Sequence, residues 1–112
     1  MPNETLVLDR VFNALSNPTR RQVVTRLGNG PAAMTDLAKG FNMALPSFLQ
    51  HLQVLEKCGL VKSEKTGRVR VFQLEPKNLI LAEHWIETQR SHWTTRLDQL
   101  DNYLLNLKEN PQ

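Results

Sequence analysis

The sequence predicts a mainly α-helical fold with one small β-hairpin, because three features follow one another along the chain. Two short helices with a tight turn between them are predicted over residues 35–40 and 46–57. Two strand-like runs follow at once, from Leu60 to Glu64 and from Arg68 to Leu74. A long helical pattern then covers residues 76–108. Together these features predict a winged helix-turn-helix, in which the hairpin is the wing.

Two further helices are predicted before the helix-turn-helix. A helical stripe of apolar residues from Leu6 to Leu15 predicts the first. Ser16-Asn17-Pro18 offers capping side chains and a first-turn proline for the second, which ends at Gly28-Asn29-Gly30. Thr35 is predicted to cap the third, which ends near Gly40.

The fourth helix is predicted to begin at Pro46, where a missing N–H costs little, and to end near Lys57. Spacings of four and three between apolar residues predict its buried face, which consists of Phe48, Leu52 and Leu55. Lys65-Thr66-Gly67 is predicted to form the hairpin turn. The strand after the turn has apolar residues on both sides, so the pattern leaves open which side is buried.

Length and composition indicate a single domain spanning residues 1–112, with an ordinary hydrophobic share of 40% and a charged share of 22%. No apolar run is long enough to cross a bilayer, so no membrane partner is expected. The N-terminal residues lack the features of a secretion signal, and a cytoplasmic location is expected. The single cysteine, Cys58, is interpreted as a structural thiol rather than a redox sensor.

Positive charge is concentrated in the hairpin region. The whole chain has a formal net charge of +3, whereas the stretch from Lys57 to Lys77 has six Lys or Arg residues against two Glu residues, a local excess of +4. An electrostatic footprint on double-stranded DNA is therefore expected here. Arg20 and Arg21 are further candidates for backbone contacts, although ordinary exposure explains them equally well.

Six residues are predicted to bind DNA. Ser47, Gln50 and His51 would reach base edges or phosphates from the fourth helix, and Lys65, Arg68 and Arg70 would meet phosphates or enter the minor groove. The alternatives are a solvated hairpin and a His51 that bonds a neighbouring backbone group.

The last helix carries an apolar residue every seven positions and would be roughly 45 Å long, more than a small domain covers with its own core. A homodimer built from the first and last helices is therefore predicted. Its expected interface residues are Leu8, Phe12, Ile86, Trp93, Leu97, Leu100 and Leu104. Residues Glu109 to Gln112 are expected to be frayed.

No metal site, cofactor or enzyme is predicted. His84 and His92 are eight residues apart on one helix, about 12 Å, so they cannot share one ion within a chain. A site across a dimer stays open as an alternative. The sequence contains no paired carboxylates, nucleophile-base arrangement or phosphate-binding loop of the kinds that catalysis requires.

With these residues in place, the chain resembles the ArsR/SmtB-type winged-helix transcriptional regulators over nearly its whole length. The resemblance rests on ALSNPTRRQVVTRL, MTDLAKGFNMALPSFLQHLQVLEKCGLV and KTGRVRVFQLEP, in that order. It implies a dimeric repressor that binds a palindromic operator and releases it on a signal. Met34-Thr35-Asp36-Leu37 stands where thiolate metal sensors carry a Cys-x-Cys motif, so the resemblance is to a branch without that metal site.

A second hypothesis from another class is a protein-interaction module. The start of the fourth helix is more apolar than the family pattern of Ser-Gln-Pro-x-x-Ser-x-His, and Leu45 and Leu49 would then meet a partner protein instead of thymine methyl groups. The two hypotheses differ in salt dependence, because only phosphate neutralisation weakens steeply as salt rises.

Overall fold

The computed structural model describes the chain from Asn3 to Glu109, and this part confirms the mainly helical fold with its small hairpin. In chain order the elements are α1 (Glu4–Leu15), α2 (Pro18–Leu27), β1 (Ala32–Ala33), α3 (Met34–Lys39), α4 (Leu45–Lys57), β2 (Val61–Thr66), β3 (Val69–Leu74) and α5 (Pro76–Glu109). Of the C-terminal residues expected to be frayed, Glu109 ends α5, and residues 110–112 lie outside the described residues.

A side-chain cap explains where α1 begins. The Asn3 side chain accepts a hydrogen bond of 2.9 Å from the Thr5 N–H, which starts α1 two residues earlier than predicted. The prediction that Thr35 caps the third helix is wrong. Ala33 holds the cap position in an extended conformation, because it is paired in β1, and α3 therefore begins directly at Met34.

The three strands form one antiparallel sheet in the order β1-β3-β2. The two-residue strand β1 is too short to show an alternating pattern, so no local pattern predicted it. The predicted hairpin turn is also wrong: Lys65 and Thr66 are paired in β2, and the turn is Gly67-Arg68. Gly67 has a φ of +63°, as the first residue of a two-residue hairpin loop often does.

The described residues divide into two compact units, one ending at Ala82 and one beginning at Glu83. The first unit has a closed apolar core, in which Phe48, Leu52 and Leu55 are buried as predicted. Phe72 is also buried, so the core side of β3 is the side that carries Phe72. Cys58 is part of this core: its thiol donates to the Leu55 carbonyl, and burial raises its pKa.

The second unit consists of the α5 residues from Glu83 to Glu109 and has almost no buried surface. Its large apolar side chains are exposed by 45% or more; they are Trp85, Ile86, Trp93, Leu97, Leu100, Tyr103, Leu104, Leu105 and Leu107. Between residues 3 and 109, no helix combines the length and the apolar character needed to cross a membrane.

Candidate nucleic-acid interface

The outer face of α4 carries the polar residues that the sequence singled out. Ser47 and Gln50 are exposed and stand three positions apart, which places them on one side of the helix. His51 is half-buried. Ala44 occupies the cap position of α4, and in the described part of the chain no side chain caps this helix. Its first backbone N–H groups therefore remain available to an anion.

Two cations of the hairpin lie on the same face of the sheet as the buried residue Phe72. Lys65 and Arg70 are cross-strand partners, so their side chains share one face of the sheet. Ser63 and Phe72 are the next partners along that face, and Phe72 is buried in the core. Two like charges directly opposite each other destabilise a hairpin. This pair therefore does not stabilise the hairpin, but it can bind a polyanion such as DNA.

Two surface clefts connect the wing cations with α4. A cleft of about 310 Å³ is lined by Lys65, Arg68 and Arg70 together with Thr35 of α3 and Leu49 of α4. A cleft of about 520 Å³ shares Leu49 and Arg70 with it and continues along α4. The predicted wing cations and one side of the fourth helix thus border the same groove.

A chain of hydrogen bonds that the sequence did not predict holds Arg70 in place. The Arg70 guanidinium donates to Ser63 Oγ over 2.9 Å, and that hydroxyl donates to Glu56 Oε1 over 3.0 Å. The chain joins β3, β2 and α4. No sequence signal could have revealed it, because it depends on the strand register and on how the hairpin packs against α4.

The remaining charges near the hairpin leave its tip positive. Lys62 lies on the opposite face of β2 and forms an ion pair of 3.4 Å with Glu75. Within residues 3–109, no carboxylate lies within ion-pair distance of Lys65, Arg68 or Arg70. Arg68 is in the turn itself, at the most extended point of the wing.

Arg20 and Arg21 are fixed by contacts within the protein. Both donate to carbonyl groups in the last turn of α1: Arg20 Nε to Ala14 over 2.8 Å, and Arg21 Nη1 to Leu15 over 2.8 Å. Arg20 Nη1 also lies 3.1 Å from His51 Nδ1. The sequence identified His51 as a candidate but missed Arg20 as its neighbour, because the two are 31 positions apart.

The residues predicted for a dimer interface fall into two groups. Leu8 and Phe12 are half-buried and pack against the core of the first unit. The five on α5 are exposed by 50–65%; they are Ile86, Trp93, Leu97, Leu100 and Leu104. No group of three His, Cys, Asp or Glu residues in the described chain is arranged to hold a metal ion.

A polar helix face beside a cationic wing is the arrangement of DNA-binding winged-helix regulators. Residues 15–64 match a helix-turn-helix domain family. The chain is 41% identical to an ArsR family transcriptional regulator of known crystal structure, with a TM-score of 0.77, over 84% of this chain and 97% of that one. The chain belongs to the ArsR family of transcriptional regulators.

Two further relatives are similar to part of the chain. The HTH-type transcriptional regulator Rv2034 of Mycobacterium tuberculosis is 42% identical over 71 residues, which are 63% of this chain and 66% of that protein. The transcriptional repressor SdpR of Bacillus subtilis is 29% identical over 79 residues, 70% of this chain and 88% of that protein. A member of this family is a DNA-binding regulator of transcription and not an enzyme.

Proposed function

We propose that the protein is a homodimeric repressor that binds a palindromic operator in double-stranded DNA without requiring a metal ion. The observation that carries this proposal is the pair Lys65 and Arg70, two cations on one hairpin face that border the same groove as α4. A duplex that accepts α4 in its major groove would meet both cations beside its phosphates.

The predicted DNA-binding residues would then contact different parts of the duplex. Ser47 and Gln50, which are exposed on α4, would contact base edges or nearby phosphates. Lys65 and Arg70 would neutralise phosphates, which gives affinity more than specificity. Arg68, in the turn at the tip of the wing, is placed to reach the minor groove. His51, which is half-buried on α4, would also contact base edges or phosphates.

The exposed apolar stripe of α5 supports assembly as a homodimer. Ile86, Trp93, Leu97, Leu100 and Leu104 recur at spacings of seven, four and three, so they share one side of the helix. A second copy of the chain offers the same stripe, which suits an interface with two-fold symmetry. Leu8 and Phe12 on α1 are separately proposed to contact the second copy. Such a dimer reads two half-sites about 34 Å apart, which explains the proposed palindrome.

Metal independence and repression rest on separate observations. Met34-Thr35-Asp36-Leu37 provides no thiolate pair, and the Cys58 thiol is buried with a raised pKa, which disfavours the thiolate that binds metals. The similarity to SdpR, a repressor, supports a repressing role. We infer a cytoplasmic location, where such a regulator meets its operator, and release by a small-molecule or other inducer.

Fluorescence anisotropy with the native upstream DNA and a scrambled duplex, at several salt concentrations, tests the proposal. The wild type should prefer the native DNA, and its affinity should fall steeply with salt. Arg68→Ala and Arg70→Ala should weaken binding to both duplexes and lower the salt slope by about 1 each, whereas Gln50→Ala should relax preference at one or two base pairs.

Lys62→Ala is the matched control, because Lys62 lies on the other hairpin face and is paired with Glu75. It should leave the affinity and the salt slope nearly unchanged. Equal or absent binding of the wild type to the two duplexes would contradict the proposal. That result would favour a protein partner on α4, where Leu45 is 48% exposed.

A further inference from the structure

The Arg20 side chain is held rigidly between α1 and α2. The backbone N–H of Arg20 donates to the Asn17 side chain over 3.1 Å. The Arg20 guanidinium donates to the Ala14 carbonyl over 2.8 Å and to the Asn13 carbonyl over 3.2 Å. These carbonyls belong to the last turn of α1. The two bonds to Ala14 and Asn13 hold the guanidinium against the end of α1.

The third contact of the Arg20 guanidinium is with the His51 ring. Arg20 Nη1 lies 3.1 Å from His51 Nδ1. Arginine can only donate hydrogen bonds, so Nδ1 must accept, and in a neutral imidazole the proton then resides on Nε2. In the described part of the chain, no protein group accepts a hydrogen bond from Nε2.

We propose that Arg20 is a positioning residue that fixes the tautomer and ring orientation of His51, so that α4 presents the His51 Nε2–H to DNA as a donor. The proposal rests on the DNA-binding function proposed above and deepens it. A fixed donor recognises acceptors: a phosphate oxygen, guanine N7 or O6, adenine N7, or thymine O4. It does not recognise the cytosine amino group, which is itself a donor.

Nitrogen-15 NMR of the full-length protein tests the contact without DNA. In the neutral ring, long-range proton-nitrogen spectra should show the Nε2–H tautomer for His51. Loss of the His51 signals in His51→Gln assigns them. Arg20→Ala should shift the Nδ1 resonance because its lone pair loses a donor, and Arg21→Ala should not. A wild-type Nδ1–H tautomer would overturn the proposal.

Arg21→Ala is a matched control because Arg21 makes the same kind of bond to α1, over 2.8 Å to Leu15, without the bond to His51. A double-mutant cycle on operator DNA then tests the role of Arg20. His51→Ala should weaken binding roughly tenfold, as expected for one hydrogen bond to a charged or strong acceptor. Arg20→Ala should weaken binding to a similar degree, yet cause no further loss in the His51→Ala background.

Additive losses for Arg20 and His51 would overturn the proposal and indicate that Arg20 contacts DNA by itself. The Arg21→Ala and His51→Ala losses, by contrast, should be additive. Arg20→Lys keeps the charge but cannot form the three-way contact, and it replaces Arg20→Ala in the cycle if Arg20→Ala melts below the assay temperature. If the wild type fails to bind the operator, the proposed function is wrong. The NMR result would still show whether Arg20 fixes the tautomer of His51.

Discussion

The two compact units of the chain differ in how far their apolar side chains are exposed. In the unit that ends at Ala82, Phe48, Leu52 and Leu55 have at most 1% of their surface exposed. In the unit that begins at Glu83, Trp93 is 65% exposed and Leu97 is 61% exposed. The difference shows that the first unit supplies its own core, whereas the apolar side chains of the second lack one among the described residues.

This contrast has an energetic consequence. Burying a large apolar side chain contributes about 1.5–3 kcal/mol, and a side chain that stays in water contributes none of it. The stability of the first unit should therefore depend on single core residues. The exposed stripe of the second should matter only when another surface covers it, which is what a homodimer provides.

The largest effect is expected from Leu55→Ala. Leu55 is fully buried in α4, and truncation of such a residue costs about 2–5 kcal/mol, a large part of the 5–15 kcal/mol by which a small protein is stable. Urea unfolding monitored by circular dichroism measures the loss.

Leu45→Ala, in the same helix, is the control for Leu55→Ala. Leu45 is 48% exposed, so its truncation should change the free energy of unfolding by no more than about 0.5 kcal/mol. Similar losses for the two variants would mean that the core does not close around Leu55 as described.

A somewhat smaller effect is expected from Trp93→Ala or Leu100→Ala, and on a different quantity. Truncation of a hot-spot side chain costs about 2 kcal/mol or more at an interface, so the dimer Kd should rise roughly 30-fold. Analytical ultracentrifugation at low concentration measures this change.

Asn102→Ala provides the comparison for the dimer variants, because residue 102 lies on the opposite side of the helix from Trp93. It should leave the mass distribution unchanged. An unaltered distribution for Trp93→Ala and Leu100→Ala as well would remove this stripe from the interface.

The sequence predicted those features that local periodicity determines. The buried face of α4 and the stripe of α5 follow from spacings of three, four and seven, which repeat whatever the rest of the chain does. The Gly67-Arg68 turn and the partnership of Arg20 with His51 could not be predicted. They depend on strand register and on contacts between segments far apart in the chain, which no local pattern encodes.

The smallest effect is expected from Ser63→Ala. This variant removes a polar contact on the surface of the first unit, in contrast to the loss of a core residue in Leu55→Ala. Ser63 connects Arg70 to Glu56, so its hydroxyl restrains a wing cation relative to α4. One such bond contributes about 0.5–1.5 kcal/mol, and its loss should lower operator affinity about two- to tenfold. The salt slope should stay the same, because no cation is removed.

Thr66→Ala is the appropriate reference for Ser63→Ala, since Thr66 lies on the other face of β2 and its hydroxyl is directed away from Arg70. Anisotropy titrations of the two variants at one salt concentration decide the matter. Equal affinities would show that Arg70 finds its position without Ser63. A selective loss for Ser63→Ala with an unchanged slope would show that the wing acts through the placement of its charges as well as through their number.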